Sequence, residues 1–482
     1  MQFNSYGFIL AFLPTLLVAY FGLGKINYNI GKWVIIVGSI IFYAYADLKL
    51  LYVILMSLGV NYLFTRLISI SKHNKICMLM PIIVNISLLL YFKYANFAVS
   101  NINHLFGTQF ALKELFIPVG ISFFTFQQIA YIVAVYNKEI SLISVVDYAS
   151  YILYFPKLLM GPLMDPVDFI EQYNDSKNKN VNWDNIAYGL NIFSLGLLKK
   201  VLLADTFAKA VSWGFDNYEV ATSIDWMLIM LFYTFEIYFD FSGYSDMAVG
   251  VSKMLNITLP INFDSPYMAI SIRDFWKRWH ISLTSFLTKY VYIPLGGSKK
   301  GFLFTCINTV IVFIISGLWH GANWIFVIWG LLHGLLSIFD RILERYNKKI
   351  FEPFRWFMTF ITINILWLLF RSDSIGQWWD ILHIFMKAAN TTISDDLIAN
   401  FALPEMSLLL EIVPTLRDVY EDTKGFIMNG FIVASSIICF IPQNNYRNLK
   451  KLSWIGMIAT AIAFVWGITC LGQESVFVYY NF

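Results

Sequence analysis

Two histidines lie in surroundings that suit the removal of a proton from a hydroxyl group. His320 stands in the run GLWHGAN, where a glycine on either side leaves room for a second backbone or a ligand, and His280 ends the run RDFWKRWH. Imidazole is the side chain best suited to general-base catalysis near neutral pH. A buried histidine is more often structural, but Asn323 can orient one ring nitrogen of His320. The sequence therefore suggests a base at His320, whereas His333 would point elsewhere, about 220° around one continuous ideal helix.

Three acids stand in the otherwise apolar run FEIYFDFSGYSDMAVG. Glu236 and Asp240 are one helical turn apart and share a face, and Asp246 follows further along. Charged groups at membrane depth usually face the interior of a helix bundle or a water-filled path. Pairing with basic side chains is the first interpretation of these acids, and a proton path is the alternative. In either case they indicate a bundle with a polar interior.

The composition places these residues in a membrane. Of the 482 residues, 58% are hydrophobic and only 13% are charged, with a mean hydropathy of +0.63. A water-soluble surface cannot be assembled from so few polar residues. The net charge of +3 is too small to indicate a nucleic-acid partner. The chain is therefore predicted to be a polytopic membrane protein embedded in lipid.

Apolar windows recur along the whole chain. A membrane helix needs about 20 mostly apolar residues, and because several windows are shorter we predict roughly 11 spans plus re-entrant or interfacial helices. The fold class is thus an all-α polytopic membrane protein. The windows are 7–23, 33–46, 50–68, 77–97, 115–136, 145–160, 186–204, 226–250, 303–318, 323–340, 356–371, 427–442 and 453–472.

The basic loops predict an orientation in the cell membrane. Lys25 and Lys32 follow the first span, Arg66 closes the third, and Arg447 and Lys450 precede the last one. Loops rich in Lys and Arg stay in the cytoplasm. We therefore expect both termini on the extracytoplasmic side.

The segment 257–302 is too polar to span the bilayer and too aromatic to be a solvated loop. A basic, aromatic helix of this kind is expected to lie in the membrane interface or to dip into the protein from the cytoplasmic side. Such an element can close the cytoplasmic mouth of a cavity. Its basic residues are Arg273, Lys277 and Arg278, and its indoles include Trp276 and Trp279.

The chain resembles the membrane-bound O-acyltransferases, and among them the bacterial branch typified by the membrane subunit of alginate and peptidoglycan O-acetylation. The stretches that carry the resemblance occur in family order. They are PVGISFFTFQ (118–127), YFPKLLMGPL (154–163), FDFSGYSDMAVG (239–250), the run from INFDSPY to GGSKKG (261–301) and GLWHGANWIFVIWGLLHG (317–334).

The resemblance implies one membrane domain over 1–482, with its helices around a central tunnel. N-terminal spans would occupy 1–110, the catalytic core 115–340, and C-terminal spans with an external aromatic tail 341–482. The acyl donor would enter from the cytoplasm, and the acyl group would leave toward the outer face.

Residue roles also follow from the resemblance. His320 is implied to be the catalytic histidine, and His280 is implied to be the second family histidine near the tunnel. The residues expected to line or support the tunnel are Asn323, Trp319, Asp240, Asp246, Trp276 and Trp279.

The expected donor is acetyl-CoA, which is a substrate rather than a bound cofactor. Arg273, Lys277 and Arg278 could attract its phosphates. No metal is implied, because the polar groups lack ligand-type clustering. The run YVYIPLGGSKKG favours acetyl transfer over the alternative, D-alanyl transfer to teichoic acid, which shares the motifs RWH and WHG.

The sequence departs from the acetyl-branch pattern in three places. Thr288 and Lys289 stand where W-L-R-D-Y is usual, Asp165 stands where an Arg is common, and Ala134 where an Asp is common. These changes could alter contacts with the donor or with a partner. Both histidines are unaffected.

The acceptor is expected to be a polysaccharide or cell-wall polymer, which cannot enter a tunnel sized for an acyl chain. In this family the membrane subunit commonly works with a secreted or membrane-anchored SGNH/hydrolase-like partner, and the chain has no G-x-S-x-G elbow of its own. Its ending, ESVFVYYNF, resembles an F-x-Y-x-x-F motif through Phe477, Tyr479 and Phe482. Interfacial anchoring is the simpler explanation. The alternative is that the phenol of Tyr479, a better leaving group than a sugar alcohol, relays the acyl group.

A function from another class is a transporter that exports a saccharide or an acyl carrier, with Glu236, Asp240 and Asp246 as its proton path. The chain shows no paired Gly- or Pro-broken segments in matching halves. The interfacial RDFWKRWH run also has no evident role in transport. Acyl transfer is therefore the favoured prediction.

Overall fold

The computed structural model describes residues 1–71, 74–346, 350–387, 392–401, 410–441, 453–472 and 477. Within that part of the chain the regular elements are helices, and one isolated antiparallel bridge joins Phe263 to Trp279. The prediction of an all-α polytopic membrane protein is confirmed.

The helices follow one another with short connections. In chain order they are α1 (Gly7–Ile26), α2 (Tyr28–Ala46), α3 (Leu51–Ile70), α4 (Lys75–Phe106), α5 (Ile121–Tyr136), α6 (Val145–Leu153), α7 (Phe155–Leu158), α8 (Pro166–Asn174), α9 (Trp183–Asp216), α10 (Ser223–Met254), α11 (Ile272–Arg278), α12 (Ile281–Leu287), α13 (Phe302–His320), α14 (Trp324–Arg345), α15 (Glu352–Arg371), α16 (Ile375–Lys387), α17 (Asp395–Ala399), α18 (Arg417–Phe440) and α19 (Trp454–Gly472).

Nine of these helices, counted over the described residues, are long and apolar enough to cross a membrane. They are α1 to α4, α9, α13 to α15 and α19. The shorter apolar helices Ile121–Tyr136 and Gly425–Phe440 correspond to two further predicted windows. Helix α10 matches the window 226–250 but carries the acids noted above.

The predicted window 145–160 does not form one span. The structure divides it into α6 and α7, with a break at Tyr154. Pro156 explains the break, because a proline has no N–H to donate and its ring would clash with the carbonyl group four residues earlier. Both short helices lie inside the protein, where Tyr154 and Lys157 are fully buried.

Helices α9 and α10 form the centre of the bundle. They approach so closely that a Cβ atom added to Gly196 would lie 2.6 Å from the carbonyl oxygen of Gly243. Small residues at such a crossing allow two backbones to pack directly together. Two ion pairs connect the same helices, Lys199 with Asp246 at 2.7 Å and Lys200 with Asp240 at 2.7 Å. A third, between Lys200 and Asp205 at 2.8 Å, lies within α9.

Helices α13 and α14 pack as a pair around their glycines. A Cβ atom on Gly317 would lie 2.1 Å from the carbonyl oxygen of Phe326, and one on Gly321 would lie 2.1 Å from the ring of the same phenylalanine. The room that the glycines leave is therefore occupied by α14. Gly317 thus makes room for a second backbone, whereas Gly321 makes room for the side chain of Phe326.

Candidate functional site

His320 ends helix α13 inside an enclosure of aromatic rings. Its ring centroid lies 4.9 Å from that of Trp319, 5.3 Å from that of Trp329 and 5.3 Å from that of Phe370. Only 3% of the residue is exposed. Helix α13 stops at this point because Gly321 adopts an extended conformation. The predicted catalytic histidine is thus held at a buried helix terminus.

His280 lies next to the same indole. Its ring centroid is 5.9 Å from that of Trp319 and 4.7 Å from that of Phe241 in α10. A φ of 46° puts His280 in the left-handed region, which turns the chain sharply between α11 and α12. The turn is fixed because the Ile281 N–H donates to the carbonyl oxygen of Asn262 at 3.1 Å. The structure therefore brings both predicted histidines beside one tryptophan.

His333 belongs to the same enclosure, so the expectation that it points elsewhere is wrong. Its Nδ1 accepts a hydrogen bond from Trp276 Nε1 at 3.1 Å, and its ring lies 4.5 Å from that of Trp329. The expectation assumed one continuous helix after His320. The chain instead ends α13 there and begins α14 at Trp324, so the angular relation between the two histidines is lost. Trp329 contacts both of their rings.

Asn323 has a different role from the one expected. It is exposed, and its side-chain oxygen accepts a hydrogen bond from the Ile325 N–H at 3.1 Å. Among the described residues this is its one side-chain hydrogen bond. An asparagine at this position satisfies a free N–H group in the first turn of a helix. Asn323 therefore caps α14 and does not orient His320.

Two residues of α4 that the sequence analysis missed contact the end of α13. Lys93 donates to the carbonyl oxygens of Trp319 and His320, and Tyr94 donates to that of Leu318. The signal was present in the sequence, because Lys93 is a lone cation inside the apolar window 77–97. Intramembrane cations of this kind are costly and usually have a function.

A cavity of about 240 Å³ opens beside α11 and α12. Its lining includes the cations Arg273, Lys277 and Arg341, and also Trp276, whose indole bonds to His333. The lining continues through Ser316, four residues before the end of α13. A basic pocket that reaches the aromatic enclosure suits an anionic, elongated donor.

The predicted donor-binding residues divide between two places. Arg273 and Lys277 line this cavity, whereas Arg278 does not and pairs instead with Asp274 at 2.9 Å. Arg341 was not predicted, because it follows the window 323–340 in a polar stretch, DRILER. Its Nε is buried and has no hydrogen-bond partner among the described residues.

A larger cavity of about 540 Å³ is lined by the other side of α12. Lys289 lines it and pairs with Asp165 at 2.9 Å and with Glu139 at 3.0 Å. The departures from the family pattern at Asp165 and Lys289 are thus two halves of one ion pair, with the charges exchanged. Partial burial, together with the carboxylates of Asp165 and Glu171, raises the pKa of Asp168 on the same wall.

The other two departures have simpler surroundings. The Thr288 hydroxyl donates to the carbonyl oxygen of Thr284 at 2.7 Å, within its own helical turn. Ala134 is fully buried in α5. Neither residue carries a charge into the acid-lined cavity.

The C-terminal tail enters the bundle at Phe477. This residue is only 1% exposed, and its ring lies 5.2 Å from that of Tyr244 in α10. The Lys200 ammonium lies 4.4 Å from the centroid of the same ring. Phe477 therefore packs in the interior and not in a lipid-facing aromatic belt. The predicted residues Tyr479 and Phe482 lie outside the described residues.

The remaining aromatic residues of the predicted site form its framework. Trp279 is buried, with its ring 4.9 Å from that of Phe263 and 4.9 Å from that of Trp367. Asp240 and Asp246 lie in the ion pairs of α9 and α10. These contacts are the structural pairing that the sequence favoured for the acids.

The sequence matches one known protein family. The profile of the membrane-bound O-acyltransferase family matches residues 107–372. The chain belongs to this family. Both histidines, the aromatic enclosure and the two cavities lie within the matched region, and the acyltransferase is a multi-pass membrane protein.

Individual relatives cover more of the acyltransferase. It is 33% identical to the peptidoglycan O-acetyltransferase of Helicobacter pylori, over 100% of this chain and 98% of the relative. It is 35% identical to a "Probable alginate O-acetylase" of Pseudomonas aeruginosa, over 79% of this chain and 74% of the relative. A teichoic acid D-alanyltransferase of Streptococcus thermophilus is 27% identical, over 57% of this chain and 72% of the relative.

Proposed function

We propose that this acyltransferase moves an acetyl group from cytoplasmic acetyl-CoA across the cell membrane for the O-acetylation of an extracytoplasmic polysaccharide or cell-wall polymer. The observation that carries the proposal is the position of His320 and His280 beside one buried indole, close to a basic cavity. Acetyl transfer is favoured over D-alanyl transfer because the full-length relative is named a peptidoglycan O-acetyltransferase.

The donor binds with its phosphates near Arg273, Lys277 and Arg341. Arg273 and Lys277 belong to the segment 257–302, which is expected to lie at the cytoplasmic side of the membrane. The rest of the donor then extends along the cavity, so that its thioester lies toward Ser316 and the end of α13. A closed, aromatic environment around His320 excludes water, which would otherwise hydrolyse the thioester.

His320 acts as the general base. A ring nitrogen takes the proton of the acceptor hydroxyl while that oxygen attacks the thioester carbonyl carbon. A C–O bond forms, the C–S bond breaks, and the departing thiolate of CoA takes the proton from the imidazolium. The sum is a thioester and an alcohol converted into an ester and a thiol, with no metal or redox step.

His320→Ala should abolish acetylation of the polymer while the protein still inserts in the membrane. We expect acetate released from the polymer by mild alkali to fall to the level of a deletion strain. The matched control is His104→Ala, because His104 is exposed at the end of α4. Near-normal acetate in the His320 variant would contradict the assignment.

We assign the role of first acceptor to the phenol of Tyr479, which relays the acetyl group. The burial of Phe477 supports this, because it anchors the chain two residues before Tyr479 against α10. Phe241 of the same helix contacts His280. The acetyl group then passes from Tyr479 to the serine of a separate hydrolase-like partner outside the membrane, which frees the phenol again. From that serine it passes to a polymer hydroxyl.

Tyr479→Phe preserves the ring and removes the hydroxyl. Polymer acetylation should fall to the level of the His320→Ala variant. Tyr480→Phe is the control, because it makes the same change at the next residue. If Tyr479→Phe leaves the acetate content unchanged, the tail is only an anchor.

A further inference from the structure

The last carbonyl groups of α13 are bonded by two neighbouring residues of α4. The Tyr94 hydroxyl donates to the carbonyl oxygen of Leu318 at 2.6 Å. The Lys93 ammonium donates to the carbonyl oxygen of Trp319 and, at 3.2 Å, to that of His320. The end of a helix leaves these carbonyl groups without partners inside the helix, and at membrane depth water does not replace them. Helix α4 therefore completes a helix end that is formed by the proposed catalytic histidine itself.

The local structure of α4 presents both side chains at this point. Residues Leu90–Tyr94 form a π turn, which interrupts the regular helix over one turn. Such turns are rare and frequently occur at functional sites. They change the angular spacing of the side chains, so consecutive residues such as Lys93 and Tyr94 can serve one target.

The charge of Lys93 is compensated by α13. Lys93 is 9% exposed, and its ammonium lies 6.0 Å from the ring centroid of Trp319. A buried ammonium is costly unless it meets acceptors, and the C-terminus of a helix offers both carbonyl oxygens and partial negative charge. Lys93 is therefore tied to the two residues that form the site, Trp319 and His320.

We propose that Lys93, assisted by Tyr94, is a positioning residue for acyl transfer. It fixes the end of α13, so that the His320 ring and the Trp319 indole keep their places relative to the acyl group. This inference rests on the proposed function of His320. It assigns Lys93 no contact with the substrate.

Lys93→Met tests the proposal in purified protein, with Lys113→Met as the matched control. Lys113 is exposed, and its ammonium lies over the ring of Tyr91 in the same π turn of α4. We expect Lys93→Met to lower the kcat of acetyl transfer from acetyl-CoA between about tenfold and 100-fold. Displacement of a catalytic group by about 1 Å has an effect of this size. The KM for acetyl-CoA should stay near the wild-type value. Lys93→Arg should recover much of kcat, because its guanidinium can donate to the same carbonyl oxygens.

Hydrogen exchange provides a readout that does not depend on activity. Amide exchange in the peptide covering residues 318–326 should be faster in Lys93→Met than in the wild type, and unchanged in Lys113→Met. If Lys93→Met does not fold, Tyr94→Phe removes one of the three bonds and should show the same two effects at smaller size.

The outcomes separate the two proposals. Unchanged kcat and unchanged exchange in Lys93→Met, beside an active wild type and an inactive His320→Ala, would overturn the role of Lys93 alone. A lower kcat that Lys93→Arg does not recover would also overturn it. A wild type without activity on acetyl-CoA would reject the proposed function, whereas the exchange result would still decide whether Lys93 holds the helix end.

Discussion

Single residues of the donor cavity can be ranked by their contacts. Arg341 presents a buried Nε without a hydrogen-bond partner among the described residues, Arg273 already pairs with Glu344, and Arg278 bonds to Asp274 away from the cavity. An unpartnered guanidinium group gains most from an incoming phosphate. Arg341 is therefore expected to contribute more to donor binding than Arg278 does.

Arg341→Met should raise the KM for acetyl-CoA about tenfold, because a lost charge-assisted hydrogen bond is worth about 1.5 kcal/mol or more. Arg278→Met removes the same charge from the same face of the membrane and should leave the KM within about twofold. Initial rates at varied acetyl-CoA give both values. A larger KM effect at Arg278 than at Arg341 would place the donor outside the 240 Å³ cavity.

Among the helices, the pair α13 and α14 positions the aromatic enclosure around His320. Gly317 faces the carbonyl oxygen of Phe326, and Gly330 faces that of Phe313, so each helix offers a glycine to the backbone of the other. This close pairing places Trp329 of α14 against His320 of α13.

Gly317→Ala should destabilise the protein by about 1–3 kcal/mol, because the new methyl group forces the two backbones apart. Gly59→Ala is the control, since a Cβ atom at Gly59 in α3 meets nothing within 4 Å. Thermal unfolding in detergent should show a lower midpoint for Gly317→Ala and no loss for Gly59→Ala. Equal midpoints would show that the crossing is not tight.

The elements also show how far the sequence could predict the site. Long apolar windows became helices because a lipid environment requires every backbone polar group to be satisfied within its own segment. The rings of both histidines that the sequence singled out contact Trp319. The expectation for His333 was wrong because it assumed one continuous helix, although the separate apolar windows 303–318 and 323–340 already placed a break between the two histidines. Lys93 could have been found, because a single cation in an apolar run is a readable signal, whereas Arg341 stands among the charged residues that follow the window 323–340. The sequence did not reveal that Asp165 and Lys289 form an ion pair with exchanged charges, because the two residues are far apart in the chain and meet only in the fold.

For the whole molecule, the central α9 and α10 pair connects the tail to the histidines. On α10, Tyr244 contacts Phe477 and Phe241 contacts His280. The tail, which the basic loops assign to the outer side, thus meets the same helix that borders the proposed site. This contact is consistent with the proposed passage of an acyl group from the donor to the tail. The ion pairs Lys199–Asp246 and Lys200–Asp240 tie α10 to α9 at the same level.

Acetyl transfer through His320 to the tail can be measured with radiolabelled acetyl-CoA and purified protein in liposomes. We expect the wild-type protein to release CoA and to carry labelled acetyl on its C-terminal tail, and Tyr479→Phe to carry no label there. His320→Ala should neither release CoA nor become labelled. His104→Ala should behave as the wild type. Labelling of the His320→Ala protein at the wild-type rate, or movement of intact solute into the liposomes without acetyl transfer, would contradict this proposal.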